Sequence, residues 1–108
     1  MTAYFEIRRY KSPNGRIPIS EWLAQLDPNT SGRLRAYMDR MKTGNFGNSK
    51  PVGARVLELK INYGPGYRIY YLRNDRSVVI LLCGGDKGSQ EIDIRRAQAY
   101  ALDYWRQK

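Results

Sequence analysis

Three cationic side chains and one tyrosine stand where neighbouring extended segments can gather them. Lys60, Arg68 and Tyr70 flank Gly64-Pro65-Gly66, and Lys87 follows Gly84-Gly85-Asp86. If Gly-Pro-Gly turns a hairpin, strand alternation allows Lys60, Arg68 and Tyr70 to share one face. Such a face suits a phosphate and a base, because a guanidinium grips phosphate at two points and a phenol ring stacks on a base. Gly84 and Gly85, with no side chains, would let a ligand backbone come close beside Lys87. Each residue also has a plainer reading. Arg68 can pair across the hairpin with Glu58, and Lys87 can be a turn residue in solvent. Tyr67 and Tyr71, on the opposite face, read as core packing.

The composition narrows the chemistry. There is no histidine and one cysteine, Cys83, inside the apolar run Val78–Cys83. Ser-His-Asp and Cys-His catalysis, His-ligated zinc and all-thiolate zinc are thereby excluded. The acidic residues are scattered, with no close pair to suggest a two-metal centre, so no metal and no cofactor are expected. Any catalysis must come from Lys, Arg, Tyr, Asp, Glu or backbone groups. Cys83 reads as a small core residue.

Nineteen basic residues face ten acidic ones, for a net charge of +9. The first 54 residues carry +5 and the remainder +4, so the excess belongs to the whole chain and not to a tail. Thirteen of the cations are arginine, the better match to phosphate. A globular chain this basic attracts polyanions through counterion release, which points to nucleic acid, and an acidic protein partner is also expected.

The elements that must position these groups follow from periodicity. The 108 residues suffice for one domain spanning 1–108, and 42% apolar content favours a packed core. Tyr4 to Tyr10 reads as a first strand. Ile19, Trp22, Leu23 and Leu26 have the spacing of a short helix. Asp27-Pro28 caps and starts a second, whose buried stripe is Leu34, Met38 and Met41 and whose end is Gly44. Arg33, Arg35, Arg40 and Lys42 lie on its solvated faces. Residues 44–53, rich in Gly and Asn, read as a loop.

From Arg55 the period becomes two. Leu57, Leu59 and Ile61 share one face and Val56, Glu58, Lys60 and Asn62 the other. Beyond the turn, Tyr67, Ile69 and Tyr71 oppose Arg68, Tyr70 and Leu72, and Val78–Cys83 reads as a central strand covered on both sides. Ser89 or a near neighbour caps a last helix, with Glu91 and Asp93 in its first turn and Arg106 and Lys108 in its last. Its buried stripe is Ile94, Ala97, Ala101 and Tyr104 or Trp105. The order β-α-α-β-β-β-α predicts an α+β fold, a mostly antiparallel meander with helices on one face. No run is long and apolar enough to cross a bilayer. Met1-Thr2-Ala3-Tyr4-Phe5-Glu6 lacks the start of an export signal, so a cytoplasmic setting is expected.

An ordered set of motifs resembles the HigB-like "addiction module killer protein" branch of the RelE/ParE toxin superfamily. The set is Trp22-Leu23, Gly44-Asn45-Phe46-Gly47, Leu57-Glu58-Leu59, Gly64 through Tyr71, and Leu81 through Lys87, covering nearly the whole chain. The resemblance implies a RelE-like fold and a type II toxin that cuts mRNA in the ribosomal A site. It implies a cognate antitoxin partner, with operator DNA bound only through the toxin–antitoxin complex. Metal-free RNA cleavage uses the ribose 2′-OH as nucleophile, and needs a base, positive charge on the phosphate and a donor for the 5′ oxygen. Arg68 matches the arginine that RelE-like members carry after the hairpin, and would stabilise the transition state. Lys60 would contact phosphate or act as base, with Glu58 as the alternative base. Tyr70 would stack or orient the nucleotide, and Lys87 would be a second electrostatic contact or the acid. Several HigB members use histidines here and this chain has none, so its chemistry would follow the Lys/Arg/Tyr sites of RelE proper.

The same superfamily holds ParE-like poisons of DNA gyrase, which are not nucleases. In that reading Arg68 and Lys87 are binding or structural groups. A third reading is an inactive antitoxin-binding module.

Overall fold

A computed structural model describes residues 4–75 and 77–107. The opening Met1-Thr2-Ala3 and the terminal Lys108, a cation expected in the last helix turn, lie outside the described residues.

The described chain is α+β. Strand β1 (Glu6–Arg9) precedes helices α1 (Pro18–Ala24) and α2 (Pro28–Arg40). Strands β2 (Asn48–Pro51), β3 (Leu57–Ile61), β4 (Tyr67–Asn74) and β5 (Val78–Asp86) follow, then a 3₁₀ turn (Lys87–Ser89) and helix α3 (Gln90–Arg106). The sheet runs β1-β5-β4-β3-β2. The expected three-strand meander is present in β3 to β5, and β2 extends it, all antiparallel.

Three features differ from the sequence reading. β1 lies parallel to β5, Glu6 opposite Val78, which makes the sheet mixed. The segment read as a loop holds β2, whose Asn48 to Pro51 pair with Lys60 to Leu57. The propensities of Asn, Ser and Pro hid it, and such residues are tolerated because this is an edge strand. The helices also cover both faces. α1 and α2 pack with Leu59, Ile61, Ile69, Tyr71, Val79 and Leu81. α3 packs its Ala97 and Ala101 against Tyr70, Leu72, Ile80 and Leu82 on the other side. The fully apolar stretch of β5 is the sequence trace of that two-sided cover.

Local signals hold in detail. The Asp27 carboxylate accepts from the backbone N–H (3.0 Å) and the hydroxyl (2.6 Å) of Thr30, capping α2. Leu34, Met38 and Met41 form its buried stripe, and Gly44 ends the following turn at φ 86°. Asp86 caps the 3₁₀ turn ahead of α3, its carboxylate accepting from the N–H groups of Gly88 (2.8 Å) and Ser89 (3.2 Å), whereas Ser89, the expected cap of α3, makes no side-chain capping bond. Cys83 is a core residue, its thiol pushed up to about 12 by burial and then by the nearby Asp93 charge.

Gly84 and Gly85 have a different task from the one expected. A Cβ on Gly84 would sit 2.3 Å from the Trp22 ring of α1, and one on Gly85 would sit 1.7 Å from the Asp93 carboxylate of α3. The two glycines let helices close onto opposite faces of β5, and leave no room there for a ligand backbone. Among the described residues, no helix is long and apolar enough to cross a membrane.

Candidate functional site

The β3–β4 hairpin sets the site. Lys60 lies opposite Arg68 and Glu58 opposite Tyr70, while β2 adds Asn48 opposite Lys60 and Lys50 opposite Glu58. Period-two alternation puts all six on the α3 side of the sheet, and α3 leaves this end of it open. The turn brings Gly66 N–H to the Tyr63 carbonyl at 3.0 Å, and the Lys87 N–H donates to the Gly66 carbonyl at 2.9 Å. The backbone of Lys87 is thus fastened to the hairpin tip, and Asp86 fixes the turn that carries it.

Two cavities meet along this surface. One of about 330 Å³ is walled by Lys60, Asn62, Tyr63, Gly66, Arg68 and Lys87. The other, about 230 Å³, is walled by Asn48, Lys50, Glu58, Lys60 and Arg68. Lys60 and Arg68 belong to both. Four cations and one carboxylate therefore line a continuous cleft.

Arg68 is the unusual member. It is 6% exposed, and its buried Nε and Nη1 atoms have no hydrogen-bond partner. Burying a charged donor without an acceptor is costly, so native proteins seldom leave one so. The cross-strand pair with Glu58 that the sequence allowed does not form, because the register sets Arg68 against Lys60. Gly66 leaves space beside the guanidinium. At φ +87° it adopts a conformation that other residues resist, and a Cβ there would lie 3.6 Å from Nη1.

Glu58 and Tyr70 form the floor. Glu58 is 1% exposed and its Oε2 accepts from the Tyr70 hydroxyl at 3.0 Å and from Gln90 Nε2 at 2.9 Å. Lys50 Nζ stands 4.0 Å from Oε1. Burial first, then the Glu58 charge, pushes the Tyr70 phenol far up. Tyr70 is fully buried, so it has no ring face to offer a base, and the expectation that it stacks a nucleotide is corrected. Its task is to hold Glu58 in place. Glu58, the alternative base, is too enclosed to meet a substrate hydroxyl directly. Lys60 and Lys87 are exposed and form no ion pair with any described residue.

The structure therefore brings Lys60, Arg68 and Lys87 together around a shared cavity and sets Glu58 and Tyr70 beneath. Sequence reasoning missed Lys50, hidden in the unrecognised β2, and Tyr63, one residue before the Gly-Pro-Gly turn. Tyr63 was findable as an aromatic residue beside a turn that must face the cleft. Among the described residues no group of three Cys, Asp or Glu side chains is placed to hold a metal ion. Chemically, the cleft can hold an oxyanion with two or more negatively charged oxygens, and its deepest unpaired donors belong to Arg68.

Residues 21–101 match the family model described as "Phage derived protein Gp49-like". An uncharacterized protein of Haemophilus influenzae is 38% identical over 88 residues, covering 81% of this chain and 89% of that protein. The matched span includes α2, every strand from β2 to β5, all of the cleft residues and the greater part of α3.

Proposed function

The chain belongs to the family of phage-derived Gp49-like proteins, and from that premise we propose that it is the toxin of a type II toxin–antitoxin pair. Its target is mRNA on the ribosome, which it cleaves without a metal ion, so that translation stops. A cognate antitoxin neutralises it, and operator DNA is met only through that complex.

The observation that carries this reading is the buried, unpaired Arg68 in a cleft of cations. An oxyanion is the ligand that resolves its missing hydrogen bonds. The phosphodiester of RNA supplies one, and its charge rises further as the 2′ oxygen attacks. In this scheme Lys60 takes the proton of the 2′-OH. The 2′ oxygen bonds to phosphorus, the bond from phosphorus to the 5′ oxygen breaks, and Lys87 gives that oxygen a proton. The products are a 2′,3′-cyclic phosphate and a 5′-hydroxyl. Arg68 holds the non-bridging oxygens, and Glu58 with Tyr70 fixes the floor. A 2′-OH nucleophile restricts the chemistry to RNA.

One feature favours a second reading. With Tyr70 and Glu58 buried, the exposed polar charges of the cleft are all cations. Such a surface binds polyanions without cutting them, as a gyrase poison of the ParE kind would. A purified translation reaction with mRNA and ribosomes, read by primer extension, separates the two. The nuclease reading expects cuts within translated codons by the wild-type protein, absent without ribosomes and weakened by Arg68→Ala. Intact mRNA in every lane would reject it and direct the test to DNA breakage by gyrase.

A further inference from the structure

One buried carboxylate beside the cleft takes no part in the chemistry above. Asp93 stands in the first turn of α3 and is 4% exposed. An acid in that turn complements the helix dipole, but Glu91 does so from the surface, and the dipole gives no reason to bury a second one. Gly85 makes the room for it, since a Cβ there would lie 1.7 Å from Asp93 Oδ2. Gly85 is also the β5 residue directly opposite Arg68, whose neighbour on the β3 side is Lys60. Opposed residues of an antiparallel pair carry their Cβ atoms about 5 Å apart on one face of the sheet. The Asp93 carboxylate therefore fills the side-chain position next to Arg68, delivered by a helix in place of a residue of β5. Across the sheet the row reads Lys60, Arg68, Asp93.

The oxygens of this carboxylate are engaged elsewhere. Oδ2 accepts from the Ser89 hydroxyl, and the exposed Arg96 guanidinium stands 4.0 Å from Oδ1. Ser89 belongs to the 3₁₀ turn that carries Lys87, and Asp86 accepts its N–H at 3.2 Å. Asp93 and Arg68 form no ion pair, and Arg68 keeps Nε and Nη1 unpaired. A negative charge beside a buried guanidinium, but not bonded to it, lowers the cost of burying the cation and leaves its donors for the phosphate. We infer that Asp93 is a positioning residue that holds Arg68 and Lys87 as a fixed pair around the phosphate, flanking the first from the side-chain space of Gly85 and tying down the turn of the second through Ser89. The inference rests on the reading of the cleft as an RNA-cleaving site. Asp93 itself is enclosed between β5 and α3 and does not meet the substrate. Its charge also reaches the floor of the cleft, where it adds to burial and to Glu58 in pushing the Tyr70 phenol up.

The test compares single-turnover cleavage on programmed ribosomes with affinity for the same ribosomes carrying a 2′-O-methylated A-site codon, which cannot be cut. Asp93→Asn keeps the shape and an acceptor for Ser89 and removes the charge. It should cleave roughly 10- to 100-fold more slowly, the scale of a small misplacement at a reacting centre. It should bind the uncut codon at least as tightly as wild type, because an anion has been taken from a basic cleft. Ser89→Ala breaks the tie to the turn at a half-buried position, and decides the matter where Asp93→Asn does not fold. It should slow cleavage in the wild-type background and cause no further loss beside Lys87→Ala, just as Asp93→Asn should cause none beside Arg68→Ala. Losses that multiply in the double variants, a fall in affinity that matches the fall in rate, or wild-type rates in Ser89→Ala would overturn the inference and leave the RNA reading standing. Intact mRNA with the wild-type protein, or cleavage indifferent to Arg68→Ala, would overturn the RNA reading and the inference with it.

Discussion

Glu58 and Arg68 are buried on the same face of neighbouring strands, and the fold treats them in opposite ways. Glu58 receives hydrogen bonds from Tyr70 and Gln90 and has Lys50 near its second oxygen. Arg68 keeps two buried donors unpaired. A buried charge with its partners in place adds to a rigid core, whereas one without partners costs stability that a ligand can return. The contrast separates the scaffold of the cleft from its working part, although both side chains are almost equally inaccessible.

The largest effect expected from that contrast is on activity at Arg68. Arg68→Ala should lower ribosome-dependent cleavage by about 100-fold or more, the cost of losing one preorganised oxyanion donor. Thermal unfolding of Arg68→Met should occur at or above the wild-type temperature, because the unpaired charge is gone. Glu58→Ala should do the reverse. It strands the Tyr70 and Gln90 donors, and should cost about 3 kcal/mol in denaturant unfolding. An Arg68→Ala protein that unfolds beside a tolerant Glu58→Ala protein would break the comparison and make Arg68 structural.

Gly66→Ala probes the border between the two. Its left-handed φ should cost ~1 kcal/mol in stability, and the new methyl beside Nη1 should reduce cleavage more than stability. The exposed lysines should show a smaller, salt-linked effect. Lys60→Ala and Lys87→Ala should each lower the slope of log affinity against log salt by about 0.7 for single-stranded RNA. An unchanged slope would remove that lysine from the phosphate contacts.

The smallest effect concerns the floor. The folded Tyr70 phenol holds its proton beyond the ordinary value of 10.0, so the unfolded chain releases that proton first. Its contribution to stability is full below about pH 10 and declines as pH rises above it. Urea titrations should show a shallower alkaline decline for Tyr70→Phe than for wild type. Identical slopes would mean that the phenol is not the group linked to alkaline unfolding.

Much of this was legible in the sequence because period and caps act locally. The alternation through Leu57–Ile61 and Tyr67–Leu72 assigned the correct faces, and Asp27, Pro28 and Gly44 marked the bounds of α2 and the turn after it. Alternation also placed Lys60 and Arg68 on one face. It could not say how deeply each residue is covered, and that depth separates Tyr70 from Tyr63. β2 was hidden because an edge strand tolerates Asn, Ser and Pro, and Lys50 was hidden with it. The glycine pair in β5 was misread for a related reason. Close approach was the right inference, but Trp22 and Asp93 are what approach, and they come from segments distant in sequence.

The pairing of β1 with β5 governs how the chain can be born. β5 is the hub of the sheet, hydrogen-bonded to the first strand on one side and to β4 on the other. During synthesis, β1 must wait for β5, whose Val78 pairs with Glu6 across the intervening helices and strands. Closing so long a loop raises the contact order and slows folding. Lys87 follows directly after β5, so the cleft also completes only at that late stage. Until β5 and Lys87 have emerged, a nascent chain therefore keeps open strand edges and lacks its full set of cleft cations, and is exposed to misassembly.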